Sequence, residues 1–425
     1  MNLQLEAEPG SSVSNGSLHE QLACNETQSQ RGSALRTCIP GLPEFWVDVC
    51  PAAEDVQPYL HDWEWLAKNT NEPNCFYDPA IFLPGMETFR KGKDWRIVFV
   101  YRQNKRVTDP PVLCGVFPLE AERSSLPGLS QLKLITHVYS YLSTPLLHSH
   151  YAQEAVSALI HWARANGYGL LNFSLVHGDG LFYRTLIDVL NTKQISPFVV
   201  SQYSRALLVR KSDYESYQSR NLRGHSRRDI NRQRRRLEEL GQFEFRQLQA
   251  GEPISPWIDS FLKLEAEGWK GAEGTAILAF EEHSRYFRQV LEQTWQTNQL
   301  QMHGIFLDGE PIALKCNLVS APGAFAWKIA YHEGFAKYSP GVQLEQENIR
   351  LFQAETELEW MDSCAVASHS MINRLWCDRR SIKHILVPTG GLLAECYTSC
   401  RPLLRWTRKL FRNLCGRMTR KSVSR

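Results

Sequence analysis

No stretch of this sequence is apolar over the length of a membrane span, which takes about 20 consecutive apolar residues. The first twenty residues are polar and show no basic start followed by an apolar run, so no secretory leader is read there. These two absences make a cytoplasmic location the expectation. Eleven cysteines are present, but none form a CxxC pair, and Cys396 and Cys400 lack a second pair of ligands. That excludes a zinc site, and reduced thiols serving as small apolar side chains are expected. HExxH, the Walker loop, the dinucleotide fingerprint and the GxSxG elbow are also absent. The zinc proteases, P-loop nucleotidases, dinucleotide enzymes and serine hydrolases are thereby set aside.

Apolar residues make up 43% of the chain, with 12 Trp, 15 Tyr and 19 Phe, enough for a sizeable core. The length of 425 residues allows roughly two or three domains. Residues 1–40 are rich in Ser, Asn, Gln and Gly without apolar periodicity, and are expected to be disordered or loosely attached. The net charge of +3 hides an asymmetry. From Arg401 to Arg425 there are nine Lys or Arg and no acid, so the rest of the chain carries 3 − 9 = −6.

Apolar spacing predicts helices over 56–68, 152–165 and 181–190, and strands over 96–101, 112–117, 132–136, 170–175 and 204–209. Eight arginines then crowd into residues 220–236, and Ser226-x-x-Asp229 reads as a capping box at the start of a polar basic helix joining two halves. The second half reads as a strand (243–248), two helices and a three-stranded meander. Its first turn, Asp308-Gly309, is a good hairpin signal because glycine takes a positive φ freely. A loop, a helix from about Val342 to Glu355, a strand, a short helix and a strand follow. The expected architecture is mixed α/β. The first half spans 41–210, the connecting helix 211–240, the second half 241–395 and a basic amphipathic tail 396–425.

The run from Tyr331 through Tyr338-Ser339-Pro340-Gly341, the helix after it and Trp360-Met361-Asp362-Ser363 resemble the CelD/BcsL-like acetyltransferases of the GNAT superfamily. The blocks Leu264–Gly271 and Asp308–Ala313 resemble other recurring segments of that family, and Arg227-Arg228 fits the helix before its catalytic half. The resemblance covers about residues 56–390. It implies tandem GNAT-like domains, the first degenerate, each a mixed central sheet flanked by helices. It also implies a bacterial N-acyltransferase with acetyl-CoA or another acyl-CoA as co-substrate, in cell-envelope or exopolysaccharide biosynthesis. The FemAB peptidyltransferases are similar in architecture and use aminoacyl-tRNA, so a FemAB-like aminoacyl transferase is a second reading. A catalytically inactive tandem scaffold in polysaccharide assembly is a third.

The chemistry required is attack of an amine on a thioester carbonyl. Phosphates of the donor need backbone N–H groups and a positive field, which a helix N-terminus supplies. Tyr338, Ser339, Pro340, Gly341, Val342 and Leu344 are therefore the expected cofactor-binding residues. The loop departs from the usual GNAT pattern of Gln or Arg, two residues, Gly, one residue, then Gly or Ala. A base must take the proton of the ammonium and an N–H must hold the oxyanion. Glu265, Tyr331 and Asp362 are the catalytic candidates. Trp269, Lys270 and Lys328 are the acceptor-binding candidates, Lys328 because a lysine within an apolar strand must reach solvent, an acid or a ligand. The acceptor would be a small-molecule or glycan-precursor amine, and no metal is expected. Helix 220–236 lacks the aromatics that stack bases, which disfavours nucleic acid. In the tail, Leu403, Leu404, Trp406, Leu410, Phe411, Leu414 and Met418 fall largely on one side of a helix among basic residues. Residues 401–421 would then lie on an anionic membrane at its inner face, or pack on the protein itself.

Overall fold

The computed structural model describes residues 37–403 and Trp406, apart from 52, 107, 125, 212 and 355–356. Fourteen strands among the described residues form one sheet. In chain order they are β1 (Thr37–Ile39), β2 (Leu42–Cys50), β3 (Asp94–Arg102), β4 (Val112–Arg123), β5 (Ser130–Leu134), β6 (Leu146–Leu147) and β7 (Tyr168–His177). Then come β8 (Phe198–Val209), β9 (Phe243–Gln247), β10 (Leu300–Leu307), β11 (Glu310–Ser320), β12 (Gly323–Tyr331), β13 (Trp360–Asp362) and β14 (Asp378–Pro388). Across the sheet the order is β1-β2-β3-β4-β5-β7-β14-β8-β13-β12-β11-β10-β9, with β6 paired to β4.

The mixed sheet flanked by helices matches the expected fold class, and the element order repeats. In the second half, β9 leads to helices Ser255–Glu267 and Glu281–Gln296, the meander β10–β12, helix Pro340–Ala354, β13, helix Ser370–Leu375 and β14. In the first, β2 leads to helices Gln57–Asn69 and Pro79–Phe89, strands β3–β5, helix Ala152–Ala165, β7, helix Leu181–Thr192 and β8. The sheet is antiparallel except at β5–β7 and β12–β13, one parallel pair in each half. The last strands are exchanged: β14 lies between β7 and β8, and β8 lies between β14 and β13.

The halves also share a core. Phe76, Ile81, Tyr139 and Leu142 of the first pack with Ile258, Phe261, Phe287 and Trp327 of the second. Each such buried side chain contributes about 1.5–3 kcal/mol by leaving water.

Local signals explain much of this. Asp308 and Gly309 have φ of 51° and 86°, the positive pair that lets a two-residue turn follow the twist of β10 and β11. Other expectations change. The basic connector is two helices, Tyr214–Asn221 and Gly224–Glu238, because the chain goes extended at Leu222 and Arg223. Ser226 lies inside the first turn of the second and caps nothing there. The cap with a side-chain bond is Asp213, which accepts from the Ser216 N–H at the start of the first. Cys75, Cys114, Cys316, Cys364, Cys377, Cys396 and Cys400 are thiols, but Cys38 is disulfide-bonded, against the expectation of reduced thiols throughout. Thr37–Ile39 pairs with β2, and residues 1–36 lie outside the described residues.

Candidate active site

The site begins where two parallel strands part. β12 and β13 pair only from Gly323 opposite Trp360 to Phe325 opposite Asp362. β13 then ends and turns at Cys364, which has φ 53°, whereas β12 runs on to Tyr331. At its end, the His332 N–H donates to the Ile312 carbonyl of β11. Peptide groups alternate in direction along a strand, so Ile329 and Tyr331 turn theirs to the opposite edge, into the gap. An N–H there can meet an oxyanion.

The donor-side candidates gather on one side of this gap. Residues Glu333–Tyr338 form a short turn ending at Ser339, which takes the left-handed φ of 53°. The Ser339 carbonyl accepts from the Val342 and Gln343 N–H groups at 2.9 and 3.1 Å, turning the chain into helix Pro340–Ala354. Pro340 suits a first helical position, where no N–H is needed. A cavity of about 390 Å³ lies between Tyr331, the Ser339–Val342 turn and helix Ser370–Leu375, from which Ser370, Met371 and Arg374 face it. A Cβ added at Gly341 would stand 3.5 Å from the Tyr331 ring, an ordinary contact, so the fold itself does not require glycine there. Leu344 is elsewhere, fully buried among Leu237, Ile305 and Ile312, and Tyr338 packs against that same cluster.

On the acceptor side, Glu265, Trp269 and Lys270 meet Ile329, Ala330, Tyr331 and Glu333 around a pocket of about 30 Å³. Tyr331 borders both cavities and so joins the two sides. Burial raises its phenol above the usual tyrosine value, aided by the Glu333 carboxylate, which keeps its proton in place. Glu265 is buried; Lys270 Nζ is 2.5 Å from its Oε1, and the Ile277 N–H donates to its Oε2 at 2.9 Å. Trp269 stands at the rim, 54% exposed.

Two candidates lie apart from this junction. The Lys328 ammonium donates to the Tyr141 hydroxyl at 3.1 Å and sits 4.6 Å from the centre of the Tyr139 ring, so its partners come from the first half. Burial lowers its pKa, and the Glu265 carboxylate opposes that. Asp362 is fully buried in the seam between halves. Arg205 donates from Nη2 to Oδ2 at 2.8 Å and holds its Nε 2.7 Å from Oδ1 as an ion pair, and Arg380 donates to Oδ2 at 2.9 Å. Burial pushes its carboxyl up, but the two guanidiniums outweigh burial and hold it below the usual range.

Sequence reasoning missed Arg374 and a polar network beneath helix Pro340–Ala354. Glu345 accepts from Lys315 Nζ at 2.7 Å, from Trp376 Nε1 at 2.9 Å and from Asn348 Nδ2 at 2.8 Å. Asn317 donates to Asn348, and His303 completes the cluster. Burial lowers the His303 pKa to about 4 and keeps the ring neutral. The signal was the polar run Gln343, Glu345, Gln346, Glu347 and Asn348 in a helix that the sheet covers. The basic helix lies beside the 333–338 turn, where Arg234 pairs with Glu347 at 2.7 Å and stacks on Phe243.

Parallel strands that part, a helix N-terminus at the gap and a preceding meander are the arrangement of a GNAT-like fold. In agreement, residues 224–367 match the family described as acetyltransferase (GNAT) domain. No curated protein matches the chain. Among solved structures, FemX is similar over 77% of this chain and 95% of its own, with 8% identity and a TM-score of 0.50. That likeness is one of fold. A conserved protein of unknown function from Bacteroides thetaiotaomicron covers 77% of this chain and 97% of its own, at 9% identity and a TM-score of 0.47. A tandem GNAT protein from the clavulanic acid biosynthesis pathway covers 81% and 99%, at 13% identity and a TM-score of 0.39.

Proposed function

We propose that this protein moves an acyl group, acetyl in the simplest case, from an acyl-CoA to an amine. The observation that carries this reading is the meeting of two cavities at Tyr331, one walled by a helix N-terminus and the other by a buried carboxylate. The larger cavity fits a phosphate-bearing carrier, because it combines a helix N-terminus with the Arg374 cation. The thioester then lies along the open edge of β12, where a backbone N–H stabilises the oxyanion. The amine enters from the smaller pocket, which must widen to admit it. Glu265, oriented by Lys270 and the Ile277 amide, takes the ammonium proton. The amine nitrogen bonds to the carbonyl carbon, the carbon–sulfur bond breaks, Tyr331 gives its proton to the leaving thiolate, and the second proton that the nitrogen loses as the amide forms returns Tyr331 to its phenol form. Trp269 stands at the rim of the acceptor side, and neither Lys328 nor Asp362, which lie apart from it, has a proton-transfer role.

The unusual Ser-Pro-Gly loop favours a second reading, a FemAB-like transferase whose donor is an aminoacyl ester. The acceptor is proposed to be a building block of a cell-envelope or exopolysaccharide polymer, acted on in the cytoplasm. The acceptor class rests on the sequence resemblance.

Thiol release from acetyl-CoA over a panel of amino sugars, amino acids and polyamines tests the reading. Release that depends on one class of amine is expected. Acetyl-CoA bound without turnover on any amine points to an inactive scaffold. Absence of both binding and turnover removes CoA as the donor.

A further inference from the structure

The end of the described chain is a helix, residues 392–403, and Trp406 is helical as well. It docks on the sheet by one face only. Ala394 packs with Leu129, Leu170 and Leu386, Tyr397 packs alongside, and Thr398 is 4% exposed. At 3.6 residues per turn, Leu392, Leu403 and Trp406 fall on the opposite face. They are 82%, 63% and 60% exposed, and Leu393 beside them is 48% exposed. Cys396 and Cys400, also exposed, lie between them, and Glu395 is an acid at the rim. The described leucines and the tryptophan of this helix therefore point away from the protein.

The sequence that follows keeps the same apolar spacing, at Leu410 and Leu414, and carries nine basic residues and no acid from Arg401 to the end. No described helix is long and apolar enough to cross a membrane. We propose that this face docks in the plane of an anionic lipid bilayer, its leucines and tryptophan in the interface and the basic residues on acidic headgroups. A second copy of the chain fits less well, since a symmetric contact would bring two strongly positive segments together. A nucleic acid would meet the cations but give large aliphatic side chains no partner.

Co-sedimentation of the full chain with vesicles tests this. Phosphatidylcholine vesicles are compared with vesicles containing about one third phosphatidylglycerol, since the attraction is to anionic lipid. The protein is expected to pellet with the anionic vesicles, to leave the neutral ones in solution, and to come off as salt rises. The double variant Leu403→Glu/Trp406→Glu changes two exposed side chains and should keep the wild-type circular dichroism. Its partitioning is expected to fall at least about tenfold, the scale of two lost interfacial anchors. The proposal is overturned if the wild type ignores anionic vesicles or if the variant binds as well. It is also overturned if analytical ultracentrifugation finds a dimer that the variant abolishes while vesicles go unbound.

Discussion

At Gly341 the missing side chain is empty space that belongs to the cavity, since the protein's own atoms would tolerate a Cβ. Gly341→Ala should therefore fold normally and keep measurable donor binding. Gly341→Trp should fill the cavity and abolish that binding, with a melting temperature near that of the wild type. Tyr331 is expected to act as the proton donor. Tyr331→Phe should leave the donor dissociation constant unchanged and lower kcat by about 10²-fold, the low end for general-acid catalysis; an unchanged kcat would remove it from that role. Glycine and tyrosine at these positions could be read from the loop sequence. Arg374 could not, because an arginine in a short helix more than thirty residues along the chain carries no local mark of the cavity it faces.

Helix Pro340–Ala354 is held to β10 and β11 by polar bonds where apolar packing would be the usual choice. Its neutral His303 ties that anchorage to pH. The folded value is about 4 against an ordinary 6.5, so between these the unfolded chain binds the extra proton and the folded one does not. Stability then rises with pH across that window and is lost as pH falls from about 6.5 towards 4. The shift corresponds to an upper limit of about 3 kcal/mol, at 1.36 kcal/mol per unit. Denaturant unfolding from pH 7 to 4 should show His303→Gln losing less stability than the wild type; equal losses would contradict the assignment. Elements with strong periodicity, such as β10–β12 and helix Ala152–Ala165, were legible in the sequence. Helix Pro79–Phe89 was not, because Pro84 inside it reads as a breaker. β2 was missed too, although Val47 and its neighbours are buried, because the Pro and Gly around it read as turn.

Across the whole molecule, the exchange of β8 and β14 makes the two halves one sheet, and no local pattern in the sequence announces it. Buried charge sits on that seam, where Arg205, Asp362 and Arg380 come from β8, β13 and β14. Asp362→Ala would leave two buried guanidiniums without a counterion and should cost about 3–5 kcal/mol. The Asp362 carboxyl is depressed, so its contribution is present above the ordinary carboxylate range and disappears as pH falls through its lower folded value. With a shared sheet and a shared core, thermal unfolding of the described body should be a single transition. Two separated transitions in calorimetry would show that the halves are independent after all.

Isothermal titration of the full-length protein with acetyl-CoA, run beside Gly341→Trp, bears most directly on the donor site. Saturable one-to-one binding by the wild type, lost in the folded variant, is the expected result. No heat of binding to the wild type, or equal binding by both proteins, would contradict a thioester carrier held at the Ser339–Val342 turn.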